Sequence, residues 1–175
     1  MGKEIKTSDM KDSQVTIGEY KNIVLPEVCE DEARDRFVVN NIMKTCDAQV
    51  PEDEIRERGA AMFEQYDIRL SQQGLSIDEY CHIKNMNKEE LMSQFMKHAE
   101  RQIKERKVLI QIADLEGISA SEDDFRNYLD NLGKKYPLPP EKAGEILTSR
   151  KKDIMEEITL RKTIDHIIMR YCRTD

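Results

Sequence analysis

Tryptophan is absent from this 175-residue chain, aromatic residues make up only 6%, and there are just 7 glycines and 5 prolines. So few glycines and prolines exclude a collagen-like or low-complexity chain. No apolar run approaches the roughly 20 residues of a membrane span. Cationic excess is missing too: 28 Lys and Arg stand against 35 Asp and Glu, a net charge of −7. This argues against nucleic acid as the main partner, because phosphate contacts need clustered Lys and Arg. The four cysteines, Cys29, Cys46, Cys81 and Cys172, form no C-x-x-C pair, and free thiols in a reducing compartment suit them better than a disulfide framework. Residues 1–14 are hydrophilic and carry no apolar signal-peptide core; Met1-Gly2 is followed by Lys6 where a myristoylation signal needs Ser or Thr. The expected location is the cytoplasm.

What the chain does have is charge (36%), modest hydrophobicity (38%) and strong helical periodicity. That combination predicts an all-α protein: an elongated multi-helix body with much surface per residue, preceded by a short extended N-terminal strap. Residues 1–14 read as a loose lead-in and 15–29 as an extended linker or strap, with β-branched and aromatic side chains up to Pro26. With no later segment resembling a partner strand, a real sheet is not expected. Residues 30–175 read as a single helical domain.

Within it the spacing predicts helices over about 30–46, 51–73, 76–84, 88–116, 122–135, 140–150 and 151–172. Pro51 suits a first helical position and Gly74 and Gly117 suit C-terminal caps. Ser76-x-x-Glu79 has the form of a capping box, and Asn87 and Ser121 open the next two long helices in the same way. The second helix has only a thin apolar stripe (Ile55, Met62, Phe63, Tyr66, Leu70), which fits a limb of a projecting hairpin.

Catalytic chemistry finds no foothold. Cys81 and His82 are neighbours on a helix and point about 100° apart; His82, His98 and His166 are far apart, and His98-Ala99-Glu100-Arg101 is not a zinc-protease motif. Acidic clusters such as Glu52-Asp53-Glu54 fall in first helical turns, where the helix dipole favours them. No phosphate loop or calcium loop occurs, so neither metal nor cofactor is expected. Nine methionines suit either an imperfect core or an adaptable binding surface. Arg150-Lys151-Lys152 reads as a solvated helix start.

Gly18-Glu19-Tyr20-Lys21, Val50-Pro51, Gln73-Gly74-Leu75-Ser76-x-x-Glu79-Tyr80, Ala99-Glu100-Arg101-x-Ile103-Lys104 and Ile112-Ala113-x-x-Glu116-Gly117-Ile118 together resemble the C-terminal domain of trigger factor, the ribosome-associated bacterial chaperone. The likeness runs over about residues 30–172. It implies a helical body with two projecting helical-hairpin arms forming a cradle for unfolded or nascent polypeptide. The family's Gly-Phe-Arg-x-Gly-x-x-Pro ribosome-docking loop and its prolyl isomerase domain have no counterpart here, so neither ribosome binding nor isomerase activity carries over. A natural shortened relative and an engineered chain with two domains deleted both stay open.

The expectation is therefore a non-enzymatic module binding unfolded or nascent polypeptide through scattered apolar side chains. Position along the resemblance nominates Met62, Tyr66, Leu70, Leu75, Ile77 and Tyr80 on the first arm. It nominates Leu132, Tyr136, Ala143, Ile146 and Leu147 on the second. For each, the competing role is packing within its own hairpin. A helical scaffold or adaptor for one folded protein is the alternative, and homodimerisation through the arms is compatible with either.

Overall fold

The signals that stop and start helices in the sequence do so in the fold. A computed structural model describes residues 14–26, 30–135 and 149–174. Helix α1 (Asp31–Ile42) is followed by α2 (Glu52–Gln72), α3 (Ile77–Lys84), α4 (Lys88–Glu116), α5 (Glu122–Lys135) and α6 (Lys151–Tyr171). Gly74 and Gly117 take positive φ, 75° and 67°, behind α2 and α4, where a side chain would strain the backbone. The capping box at α3 is complete: Glu79 N–H donates to Ser76 Oγ, and Glu79 Oε2 accepts from Ser76 N–H at 2.9 Å. Asn87 with Glu90 and Ser121 with Asp124 repeat the exchange at α4 and α5. The helix expected over 140–150 lies largely outside the described residues.

Two expectations are corrected. Helix α1 ends at Ile42 rather than Cys46, because the chain turns at Met43–Thr45; Cys46 is then buried, and its Sγ accepts a hydrogen bond from Gly18 N–H. Strand pairing, not expected, is present. β1 (Val15–Thr16) pairs antiparallel with β3 (Asp47–Ala48), and β2 (Ile23–Leu25) pairs in parallel with β4 (Cys172–Thr174). Strands of two or three residues at helix ends are too short to show the alternation by which a strand is recognised.

The chain divides into two compact units. One contains the described residues of 17–46 and 108–174. Val38, Ile42, Val108, Ile112 and Ile167 are its largest fully buried apolar side chains, and Thr163, equally buried, donates to the Thr159 carbonyl one turn back. Here Glu116, at the last turn of α4, accepts from Tyr20 Oη, Tyr171 Oη and Lys21 Nζ at 2.6, 2.8 and 2.8 Å. Those donors, led by Lys21 and then Tyr20, hold the Glu116 carboxyl down at about 2. Burial, and then Glu116 itself, push the Tyr20 phenol up to about 12.

The other unit contains residues 14–16 and 47–107, hence α2, α3 and α4 up to Lys107. Leu70, Ile77, Cys81 and Leu91 form its buried cluster, flanked by Phe63, Tyr66, Leu75, Tyr80, Met86 and Phe95. Helices α2 and α4 approach closely at Gly59, where a Cβ would stand 2.4 Å from Met96 Sδ.

Candidate functional site

The nominated residues of the first arm fall on α2, α3 and the turn between them. Leu70 and Ile77 are buried, while Met62, Tyr66, Leu75 and Tyr80 are half-buried. The half-buried aromatics interlock. Tyr66 meets Tyr80 edge-on at 5.3 Å and lies 5.3 Å from Phe95, and Phe63 meets Phe95 edge-on at 5.7 Å. Loss of hydration, and then the Tyr80 phenol, push the Tyr66 hydroxyl up to about 12. Packing within the hairpin therefore accounts for Leu70 and Ile77, and the four half-buried residues retain accessible edges. On the second arm Leu132 is half-buried, whereas Tyr136, Ala143, Ile146 and Leu147 lie outside the described residues.

Two apolar side chains that sequence reasoning passed over are more exposed than any of the nominated residues that are described. Ile68 on α2 is 53% exposed and Ile83 on α3 is 67% exposed. Each stands two residues from a buried neighbour, Leu70 and Cys81 respectively, which puts it about 200° round its helix from the packed face. An isoleucine off the apolar stripe was the available signal.

Further along the same unit, α2 and α4 leave a groove of about 470 Å³. Helix α2 supplies Glu54, Glu57, Arg58 and Ala61, one face at helical spacing; α4 supplies Gln102, Ile103 and Arg106. Arg58 Nη2 donates across it to Gln102 Oε1 at 3.2 Å, and Lys107 Nζ, on a side chain only 5% exposed, donates to Glu54 Oε2 at 2.7 Å. The floor is apolar, Ala61 and Ile103, and the rim carries both signs of charge. The arrangement offers donors, acceptors and apolar contact area. Among the described residues no three His, Cys, Asp or Glu side chains gather as metal ligands, and no helix is long and apolar enough to cross a membrane.

Comparison with known proteins bears on this arrangement. The model of the bacterial trigger factor protein C-terminus matches residues 28–169. Trigger factor of Geobacillus sp. (strain WCH70) is 27% identical over 166 residues, covering 91% of this chain and 39% of that protein. Trigger factor of Clostridium beijerinckii is 34% identical over 130 residues, covering 73% and 30%. The chain thus spans about 30–40% of the length of these relatives. A solved chain from work on the domains of trigger factor from Thermotoga maritima superposes with a TM-score of 0.61 at 13% identity, over 87% of this chain and 93% of that one, which establishes a shared fold. With residues 28–169 matched, most of its length, the chain belongs to the family of the bacterial trigger factor C-terminus.

Proposed function

We propose that this chain is a chaperone module that binds unfolded or nascent polypeptide in extended, partly apolar segments, without catalysing a reaction. The observation that carries the reading is the surplus of apolar side chains on α2 and α3. Leu70, Ile77, Cys81 and Leu91 already fill the buried cluster, yet Ile68 and Ile83 stand in solvent and Met62, Tyr66, Leu75 and Tyr80 keep accessible edges. Each side chain that leaves water on binding contributes about 1–2 kcal/mol, so useful affinity needs several contacts at once. The charged remainder, net −7, opposes self-association of a molecule with apolar surface. Membership of the trigger factor family supports the same role, in the cytoplasm. In this reading residues 30–175 serve as the chaperone domain, with 15–29 as its strap, and Leu132, Tyr136, Ala143, Ile146 and Leu147 form a second contact region.

The test is suppression of aggregation of a chemically denatured model protein diluted into buffer. Light scattering should fall progressively as the chain approaches and exceeds stoichiometric amounts. Undiminished scattering at several-fold excess overturns the proposal. Sedimentation of the same preparation reports whether the chain self-associates.

A further inference from the structure

The groove between α2 and α4 has a chemistry unlike that of the apolar surface. On its α2 rim Glu57 and Arg58 stand side by side. Glu54 is engaged by the buried Lys107. Arg58 has one polar partner among the described residues, Gln102, through an exposed 3.2 Å hydrogen bond. Glu57, next to Arg58 in sequence and on the same rim, has no hydrogen bond or ion pair among the described residues. The rim therefore presents spare guanidinium donors beside a spare carboxylate acceptor, over a floor of Ala61 and Ile103.

A ligand group of one sign fits this poorly. An acidic side chain placed on Arg58 meets Glu57, and a basic one placed on Glu57 meets Arg58. A main chain carries one donor and one acceptor in every residue except proline, and in extended form it repeats them about every 3.3 Å. From Glu54 to Ala61 the α2 rim is about 10 Å long, which matches about three extended residues. The groove's volume of about 470 Å³ lies within the usual span of ligand sites.

We infer that this groove is a main-chain subsite: Arg58 donates to a backbone carbonyl of an extended segment, Glu57 accepts from a backbone N–H, and Ala61 with Ile103 takes one small side chain. The inference rests on the polypeptide-binding reading above and adds to it a recognition element indifferent to client sequence. It explains how a module with few apolar contacts can accept unrelated segments, since the group it reads is common to all of them.

The test uses the full chain labelled with 15N and two capped heptapeptides of identical Ala, Leu and Ser side chains. One has normal amides; in the other the three central amides are esters, which removes the donors and weakens the acceptors with little change of shape. The normal peptide should shift the amide signals of residues 57–61 and 102–106 and bind about three- to tenfold more tightly than the ester, the effect of one or two hydrogen bonds. The double variant Glu57→Ala, Arg58→Ala, at two exposed positions, should bind both peptides equally and keep the wild-type melting temperature. Equal affinities in the wild type, or shifts confined to the α2–α3 turn and α3, overturn the subsite while leaving the chaperone reading intact. Absence of binding by either peptide, together with unaltered aggregation of the denatured protein, overturns both.

Discussion

The Tyr20 hydroxyl donates to Glu116 Oε1 at 2.6 Å, joining positions 96 apart in the chain. Lys21, the next residue, reaches the same oxygen at 2.8 Å, and Tyr171 holds the other. Glu116 lies at a helix C-terminus, where the dipole disfavours an anion. Its three donors more than offset this, and they come from the strap and from α6. One carboxylate thus fastens three separate segments.

The first prediction is the acid response of that knot. The Glu116 carboxyl sits at about 2 in the folded chain against an ordinary 4.5. A depressed carboxyl stabilises the fold fully above its unfolded value and loses that contribution as pH falls through the folded one. The window is therefore from about pH 4.5 down to about 2. Glu116→Gln should cost about 1–3 kcal/mol at pH 7. Urea unfolding followed by tyrosine fluorescence should show the gap between wild type and variant narrowing at pH 3. A gap that does not change with pH would refute the assignment.

Gly18 makes the second prediction. A Cβ there would stand 2.2 Å from the Thr45 carbonyl oxygen, and Thr45 Oγ1 already donates to the Glu19 carbonyl. Backbone cannot yield as a side-chain tip can. Gly18→Ala should destabilise by about 1–3 kcal/mol through overpacking. Hydrogen exchange at Ile23–Leu25 should accelerate with it, since Gly18 and this strand belong to the same unit.

Lys107 and Glu54 give an asymmetric pair. Lys107 is nearly sealed, whereas the Glu54 side chain is 42% exposed. Glu54→Ala withdraws a carboxylate from a buried ammonium and should cost about 2 kcal/mol. Lys107→Met leaves a carboxylate that water can reach and fills the same space, so thermal melts should place it nearer the wild type than Glu54→Ala.

The exposed isoleucines separate binding from folding. Ile68→Ser and Ile83→Ser should change stability by less than about 0.5 kcal/mol, as exposed sites do. Together they should raise the amount of chain needed to halve aggregation of a denatured client by about two- to fivefold, the loss of partial side-chain burial. Leu70→Ala, in the buried cluster, should instead cost about 2–4 kcal/mol in unfolding measurements. If the serine variants protect as well as the wild type, those side chains are not contact sites.

Sequence reasoning recovered what local chemistry determines. Ser76 and Glu79 announce a helix start because both halves of the cap lie within four residues, and Gly74 and Gly117 mark helix ends because only glycine takes their φ cheaply. Pairings across long separations were not legible. Nothing within Ile23–Leu25 indicates Cys172–Thr174 as its partner, and a helical stripe ending at Tyr171 gives no warning that the next three residues extend. The groove was hidden for a similar reason: Glu57 and Arg58 look like ordinary surface charges until α4 brings Gln102 opposite them. Of the nominated contacts, Leu70 and Ile77 belong to the apolar stripe that packs, while Ile68 and Ile83 lie off it. Amphipathic spacing finds the packed face first.

The parallel ladder sets an order of events during synthesis. Ile23 faces Cys172, so the early strand is synthesised 149 residues before its neighbour exists. At about 5–20 residues per second it waits for several seconds or longer with its edge unpaired. A protein proposed to shelter incomplete chains is, for that interval, one of them.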